Sequence, residues 1–491
     1  MRYIRHFSSK YNLLTSPVKA ALWFTICNIL KQGITIITTP IWTRLFSVES
    51  FGIYNIFKSW MGILSVFVTF KLAAGVYTRG LLKFEDEQDD FTSSIFGLLS
   101  LITFIFIIIY LPFRNFWNEL LGLSTVLMIC MFSLMWTDTI FSVWAAREQF
   151  NYKYKKLLIF TITFSVINPI SGIISVILFP NQEVEARIVS MTIIEILFYL
   201  PIFIIQLKHS KNLFNLTVWK YAFLFNLPLI PHYLSQTVLS SSDRIMIGKM
   251  AGEREAGIYG LAYSVATLCL LINTSIQQAF NPWLYKNIKS NSLEKVGHAS
   301  YVILSLVAGI NLIFICFAPE AVKIFAPKEY YEAIWIIPPV SMSVYFMFMY
   351  CLFADFEFYF EKTWLIMIAS VIGAILNLIL NWIFIPIYGY IAAGYTTLIC
   401  YILYSSFHYL FMKKIVKDQF GNINIYNMKI ILLISFIFMG IGFVIMPTYS
   451  YPIIRYSLLC IFISLLFIFR KRIKNIIFQV FEIKNGKIVL R

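Results

Sequence analysis

Long apolar runs alternate with short clusters of charged residues, proline and glycine along almost the whole chain. The runs are continuous, and each is close to the ~20 residues that an α-helix needs to cross a bilayer. The pattern therefore predicts an all-α polytopic membrane protein with about fourteen transmembrane helices. Their approximate bounds are 20–41, 53–76, 91–112, 123–145, 157–179, 188–207, 219–241, 256–280, 297–318, 333–354, 364–386, 389–411, 428–446 and 452–469.

The composition supports a membrane protein and excludes a large soluble domain. Of 491 residues, 59% are hydrophobic and only 13% are charged, and the mean hydropathy is +0.77. The net charge of +16 could indicate nucleic-acid binding, but the Lys and Arg residues lie at the ends of apolar runs rather than on one basic face. We therefore interpret them as topology signals and expect no nucleic-acid partner.

The distribution of basic residues predicts the orientation in the membrane. With the N-terminus inside, roughly 28 of the 40 Lys and Arg residues lie in cytoplasmic segments, as the positive-inside rule requires. We therefore expect both termini in the cytoplasm. The main cytoplasmic clusters are Arg147 with Lys153, Lys155 and Lys156, then Lys413, Lys414 and Lys417, and the tail from Arg470.

Motifs for catalysis or metal binding are missing from the sequence. The seven cysteines are scattered through apolar runs without a CxxC pair, and we find no P-loop, HExxH or GxSxG. We therefore expect no catalytic residues, no metal and no cofactor. A membrane glycosyltransferase or polymerase would need catalytic residues on a sizeable loop, and the predicted loops are short.

Short motifs recur at a nearly constant offset, which indicates an internal duplication. The triplet Gly52-Ile53-Tyr54 recurs 205 residues later as Gly257-Ile258-Tyr259, and the Ser-Val-Ile of 165–167 recurs at the same offset in 370–372. A repeat of six helices places both copies in the membrane in the same sense. We predict an N-terminal lobe (1–210), a C-terminal lobe (211–415) related by a pseudo-two-fold axis, and two further helices with a basic tail (416–491). Facing lobes of this kind are typical of alternating-access transport.

Charged residues inside the first predicted lobe are candidates for a binding site, because charge is costly within a bilayer. Lys31 and Lys58 lie within predicted spans, whereas Lys71 is near enough to a helix end to reach water. The carboxylates available in these spans are Asp138 and Glu195. Positive charge is therefore left over, which favours an anionic substrate.

In the second predicted lobe the polar residues gather on and after the seventh span. Pro228 and Pro231 should break this helix next to His232, a candidate for a coupling role or for simple packing. Arg244 is a further candidate cation for the cavity, although an ion pair with the adjacent Asp243 is the plainer interpretation. On the eighth span, Asn273 and Gln277 are candidates for polar residues that line the cavity. Hydrogen bonds between packed helices are an equally good explanation for both. Two carboxylates near the end of the tenth span, Asp355 and Glu357, are expected to be solvated.

The segment "LPLIPHYLSQTVLSSSDRIMIGKMAGEREAGIYGLAYSVA", followed by "QQAFNPWLY", resembles the Wzx-type polysaccharide flippases of the MOP superfamily. "PIWTRLFSVESFGIYNIF" (40–57) is similar to the start of the same proteins. This superfamily also contains the MATE exporters and the MurJ lipid II flippase. The resemblance in span order covers roughly residues 18 to 415.

The resemblance implies a flippase of the bacterial cytoplasmic (inner) membrane. It would move undecaprenyl-diphosphate-linked oligosaccharide from the cytoplasmic to the outer leaflet for O-antigen or capsule synthesis. In the family a cationic central cavity holds the diphosphate, and Lys31, Lys58 and Arg244 are the candidates here, with Lys where relatives often have Arg. Membrane lipid is a further partner, and polymerase and chain-length machinery are candidate protein partners. If ions are coupled, the resemblance leaves Asp138, Glu195 and His232 as candidates. The alternatives are a MATE-like drug/cation antiporter, disfavoured by the lysines, and a scaffold of a polysaccharide assembly complex.

Overall fold

The computed structural model describes residues 16–468, 481–484 and 487–490. The chain divides into two compact units, residues 1–237 and 238–491, which we call the N-terminal and C-terminal units. The all-α polytopic fold is confirmed, because nearly every described residue lies in a helix. The boundaries at 210 and 415 remain predictions.

The N-terminal unit contains nine complete helices and the start of a tenth among its described residues. They are α1 (Ser16–Leu45), α2 (Val48–Val68), α3 (Gly75–Lys83), α4 (Gln88–Tyr110), α5 (Arg114–Leu121), α6 (Thr125–Phe150), α7 (Tyr154–Leu178), α8 (Glu183–His209) and α9 (Leu216–Asn226), with 3₁₀ turns at Glu85–Glu87 and Leu227–Leu229. Helix α10 (Ile230–Met250) continues into the C-terminal unit. Within the N-terminal unit, α8 packs against both α6 and α7, and α1 packs along α7.

The C-terminal unit continues from α10 with nine helices. They are α11 (Glu253–Ala266), α12 (Leu268–Lys289), α13 (Leu293–Cys316), α14 (Ala318–Phe325), α15 (Ile337–Tyr359), α16 (Thr363–Tyr388), α17 (Ala392–Phe420), α18 (Met428–Ile445) and α19 (Pro452–Ile468), with 3₁₀ segments at Lys328–Trp335 and Met446–Ser450. Two short antiparallel strands, β1 (Phe481–Lys484) and β2 (Lys487–Leu490), follow. Helix α15 is the most deeply buried span and packs most extensively against α17.

Every predicted span overlaps a helix of the structure, and ten helical stretches among the described residues are long and apolar enough to cross a membrane. Most predicted spans are met by a helix that begins before the predicted start, whereas the helix ends fall on either side of the predicted ends. For example, α8 begins at Glu183 rather than 188, and α7 begins at Tyr154 rather than 157. The chain is therefore a multi-pass membrane protein, and the count of fourteen spans remains a prediction.

The predicted interruption of the seventh span is present. Helix α9 ends at Asn226, a 3₁₀ turn contains Pro228, and α10 then begins at Ile230. Proline lacks the backbone N–H that a continuous helix needs and restricts the residue before it, so two prolines in succession break the α-helical pattern. Asn226 stabilises the broken end by donating from Nδ2 to the carbonyl oxygens of Phe70 (2.8 Å) and Lys71 (3.2 Å).

Side-chain caps fix the starts of several helices. Ser47 Oγ accepts from the Ser50 backbone N–H at the start of α2, and Ser124 does the same for Leu127 at the start of α6. The Ser47 backbone N–H in turn donates to Glu183 Oε2 (2.9 Å), which ties the starts of α2 and α8 together. This hydrogen bond therefore fixes the positions of α2 and α8 relative to each other at one end of the N-terminal unit.

Helix α4 lies directly against the segment that precedes α9. A Cβ atom on Gly97 would lie 1.9 Å from the backbone carbonyl oxygen of Leu213, and Trp219 Nε1 donates to the Ser94 carbonyl (2.9 Å). Because a backbone carbonyl cannot move aside as a flexible side chain can, only glycine fits at position 97.

We expect Gly97→Ala to destabilise the protein by about 1–3 kcal/mol, the usual range for overpacking a close contact. The control is Gly309→Ala in α13, where no described atom lies within 4 Å of the added Cβ, so the substitution should be neutral or slightly stabilising. Thermal unfolding midpoints of both purified variants in detergent test this. Equal midpoints for Gly97→Ala and the parent would contradict the packing described.

Candidate functional site

Lys58 lies near the middle of α2 with an exposed side chain. Its ammonium Nζ lies 5.8 Å from the centre of the Tyr54 ring, one helical turn away. Within the described part of the chain, no carboxylate lies within ion-pairing distance of Lys58. Lys58 therefore places an ammonium group within the apolar part of the helices, where it can donate hydrogen bonds to a ligand.

A second cation, Arg187 on α8, lies in the same polar cluster and was missed by the sequence analysis. Its guanidinium donates to Asn168 Oδ1 (2.7 Å) and to the Asn168 carbonyl (3.3 Å) and lies 4.6 Å from the Trp42 ring. The side chain is 6% exposed, and it interacts electrostatically with Tyr54. Tyr54 therefore joins Lys58 and Arg187 in one electropositive cluster.

The cluster contains a carboxylate as well. Glu195 on α8 is 5% exposed and accepts from the Thr137 hydroxyl of α6 (3.0 Å). Glu195 interacts electrostatically with Lys58, Arg187 and Asp138. Asp138 follows Thr137 on α6 and has an exposed side chain. The structure therefore brings together Lys58, Asp138 and Glu195, three of the residues singled out from the sequence.

The remaining candidates of the N-terminal unit lie elsewhere or beyond what the structure describes. Lys31 is in α1, but its side chain lies outside the described residues. His232 lies on α10 directly after the proline break, half-buried, with its ring 5.9 Å from that of Tyr233.

The expected ion pair between Asp243 and Arg244 is wrong. Arg244 Nη1 donates to the Ser240 carbonyl (3.0 Å), and its guanidinium lies 4.1 Å from the Tyr263 ring. Asp243 is fully buried and accepts instead from Tyr259 and other neutral donors. The physical reason is that consecutive residues on a helix point in different directions.

Asp243 is the centre of a buried polar network in the C-terminal unit. Its carboxylate accepts from the Tyr259 hydroxyl (2.7 Å), Asn381 Nδ2 (2.6 Å) and the Thr397 hydroxyl (2.9 Å). Asn377 extends the network by accepting from Asn381 (3.3 Å) and from Ser242 (2.9 Å). Four elements, α10, α11, α16 and α17, are thereby held together through one carboxylate.

The two tyrosines of the repeated Gly-Ile-Tyr motif each belong to a charged cluster of their own unit. Tyr54 interacts electrostatically with Lys58 and Arg187, whereas Tyr259 donates a hydrogen bond to Asp243. In each unit the tyrosine therefore lies near charge, although the sign of that charge differs.

The neutral candidates on α12 have different surroundings. Asn273 is 3% exposed and donates from Nδ2 to the Val344 carbonyl of α15 (3.2 Å), as the helix-packing alternative requires. Its Oδ1 is buried without a hydrogen-bond partner among the described residues. Gln277, one turn further on, is half-buried.

The expectation that Asp355 and Glu357 are solvated is wrong. Asp355 is 2% exposed and accepts from Asn281 Nδ2 (3.0 Å). Glu357 is fully buried, with its Oε1 2.7 Å from Nδ1 of the equally buried His408. Residues two apart on a helix diverge, so the two carboxylates reach partners on different helices, α12 and α17.

We expect Glu357→Ala to destabilise the C-terminal unit by about 1–3 kcal/mol, because it leaves a buried His408 nitrogen without its acceptor. Glu357→Gln keeps a carbonyl oxygen that can accept from His408, so it should lose less stability than Glu357→Ala. Glu119→Ala, at an exposed position on α5, is the control and should be neutral. Thermal unfolding midpoints check the order of the three variants, and a midpoint for Glu357→Ala equal to that of Glu119→Ala would contradict it.

Comparison with known proteins assigns the family. The family model for "Polysaccharide biosynthesis protein" matches residues 18–288, more than half of the chain, and the MatE model matches residues 228–383. Capsular polysaccharide biosynthesis protein CapF of Staphylococcus aureus is 23% identical over 414 residues, which cover 81% of this chain and 100% of that protein. Lsg locus putative protein 1 of Haemophilus influenzae is 23% identical over 210 residues, 40% of this chain and only 51% of that protein.

Solved structures show the same fold. The lipid II flippase MurJ in its inward closed conformation has a TM-score of 0.59 at 18% identity, covering 93% of this chain and 100% of MurJ. An inward-facing MATE multidrug transporter of the MOP superfamily has a TM-score of 0.60 at 12% identity, covering 79% of this chain and 95% of that one. The resemblance stated from the sequence is thus confirmed, and the chain belongs to the polysaccharide biosynthesis protein family.

Proposed function

We propose that the protein flips undecaprenyl-diphosphate-linked oligosaccharide from the cytoplasmic to the outer leaflet of the bacterial cytoplasmic membrane, for O-antigen or capsule synthesis. Membership of the polysaccharide biosynthesis family supports this substrate class, and CapF, by its name, serves capsular polysaccharide biosynthesis. In this proposal two lobes (1–210 and 211–415) alternate access, residues 416–491 are appended to them, and both termini are cytoplasmic. Polysaccharide polymerase and chain-length machinery are its candidate protein partners.

The single observation that carries the proposal is the ammonium group of Lys58. It is exposed in the middle of an apolar helix without a carboxylate in ion-pairing range among residues 16–468. A charge at this depth is costly unless it faces water or a counter-ion, and Glu195, which interacts with Lys58 electrostatically, lies beyond ion-pairing distance. A diphosphate supplies such a counter-ion, and Lys31 and Arg244 are proposed to bind the same headgroup.

The membrane potential favours the proposed direction. A diphosphate headgroup carries about two negative charges, and an inside-negative potential contributes roughly 2.3 kcal/mol per charge per 100 mV to outward movement. Outward flipping can therefore proceed without an antiported ion. Should protons or sodium be coupled as well, Asp138, Glu195 and His232 are the proposed groups.

Flipping in proteoliposomes with a potassium diffusion potential tests the proposal. With about 100 mV negative on the cytoplasmic side, transfer of a fluorescent polyprenyl-diphosphate oligosaccharide to the opposite leaflet should be faster than at zero potential. Reversing the sign should slow it. Liposomes without protein are the control, and a rate independent of the sign would contradict the potential-driven mechanism.

A drug/cation antiporter is the second candidate function, favoured by the MatE match over residues 228–383 and by the buried Asp243 within it. An antiporter binds cationic substrates, so it should move ethidium or a similar dye against a proton or sodium gradient. The flippase proposal expects no such transport in the same proteoliposomes.

A further inference from the structure

A pocket of about 740 Å³ opens on the N-terminal unit at the end where α6 ends and α7 begins. Its lining comes from α4, α6, α7, α8 and the connection after α6, all between residues 89 and 209. We call it the α6–α7 pocket. Neither Lys58, Asp138 nor Glu195 lines it, so it is distinct from the proposed diphosphate site.

The pocket is cationic at its polar end. Arg147 and Asp89 form an ion pair (2.8 Å) and neutralise one another, and Arg147 also donates to Gln206 Oε1 (3.0 Å). Two exposed lysines, Lys153 and Lys156, line the same end. With Glu148 as the other lining carboxylate, the polar end has a net positive charge.

The other wall of the pocket is apolar and exposed at the surface of the N-terminal unit. Ile159 on α7 and Ile205 on α8 line it with side chains that are 67% and 54% exposed. On a membrane-spanning bundle, exposed isoleucines between two helices contact acyl chains rather than water. The pocket therefore combines a charged end with a hydrocarbon-facing wall.

We propose that the α6–α7 pocket binds an anionic phospholipid. Its phosphate lies between Lys153 and Lys156, and one acyl chain follows Ile159 and Ile205. A polybasic site at a membrane surface attracts anionic lipid through each lysine, so two lysines should favour it over zwitterionic lipid by about tenfold.

Binding of phosphatidylglycerol to the purified, delipidated full-length protein tests the proposal, with bound lipid counted by native mass spectrometry. The parent protein should bind phosphatidylglycerol about tenfold more tightly than phosphatidylcholine. The double variant Lys153→Ala/Lys156→Ala should lose this preference. Lys155→Ala removes an exposed lysine of the same segment that does not line the pocket, and it should behave like the parent.

A second pair of variants tests the acyl wall. Ile205→Trp fills the pocket and should weaken phosphatidylglycerol binding, whereas Ile204→Trp adds the same ring at an exposed neighbour outside the lining and should not. This pair keeps the test valid if the lysine variant unfolds. Equal binding of the two lipids by the parent, equal effects within either pair, or displacement by millimolar inorganic phosphate would each overturn the proposal.

Discussion

Lys58→Ala is expected to lower the flipping rate of a polyprenyl-diphosphate oligosaccharide about tenfold to a hundredfold at subsaturating substrate. A hydrogen bond to a charged group contributes about 1.5–3 kcal/mol, and each 1.4 kcal/mol corresponds to about a tenfold change. The observed exposure of Lys58, with Tyr54 and Arg187 beside it, leaves its ammonium available to a phosphate. Lys58→Arg retains the charge and should keep most of the activity.

The control for Lys58→Ala is Lys155→Ala, which removes an exposed lysine at the start of α7. It should flip at the parent rate. Lys31→Ala should be impaired as Lys58→Ala is, because both lysines are proposed to hold the diphosphate. Normal flipping by both variants would instead indicate a scaffold within a polysaccharide assembly complex.

Asp243→Ala is expected to cause the largest loss of stability, about 3 kcal/mol. The substitution removes the acceptor for Tyr259, Asn381 and Thr397 at once and leaves these buried donors without a partner. Asp243→Asn keeps one acceptor oxygen, so its loss of stability should be about half that of Asp243→Ala. Thermal unfolding midpoints in detergent measure both.

Asp418→Ala, at an exposed position near the end of α17, is the matched control and should change stability by less than about 0.5 kcal/mol. An unfolding midpoint for Asp243→Ala within the range of Asp418→Ala would contradict the network, because it would mean that the three donors find other acceptors.

Hydrophobic pattern alone located the long helices, but it did not indicate the short helices α3, α5 and α14. Each predicted span overlaps an observed helix, and the break at Pro228 and Pro231 is found where the sequence predicts it. Both signals are local, since helix length is set by bilayer thickness and proline acts on its own helix. Helix ends are less certain from sequence, because polar residues continue a helix beyond its apolar run.

That uncertainty explains why Arg187 was missed. The predicted sixth span begins at 188, so Arg187 fell in the preceding loop, but α8 begins at Glu183 and places it within the helix. The sequence did contain a sign of the Asp243 network, namely the two asparagines Asn377 and Asn381 within an apolar segment. They are four residues apart in the strongly apolar α16, so both lie on one helix face. There Asn381 donates to Asp243, and Asn377 accepts from Ser242.

Partners of buried charges could not be predicted, because contacts such as Glu357 with His408 join helices far apart in sequence. A single sequence shows which residues share a helix face but not which helix that face meets. The same limit led to the wrong pairing of Asp243 with Arg244, which are neighbours in sequence but diverge in space.

The central claim is that Lys58 belongs to a cationic site for the lipid diphosphate, and equilibrium binding tests it most directly. The purified protein is titrated with a polyprenyl diphosphate and with the uncharged polyprenyl alcohol, using the parent, Lys58→Ala and Lys58→Arg. The account predicts that the parent and Lys58→Arg bind the diphosphate at least about tenfold more tightly than the alcohol, and that Lys58→Ala loses most of this difference. Equal affinity of the parent for diphosphate and alcohol, or an undiminished preference in Lys58→Ala, would contradict it.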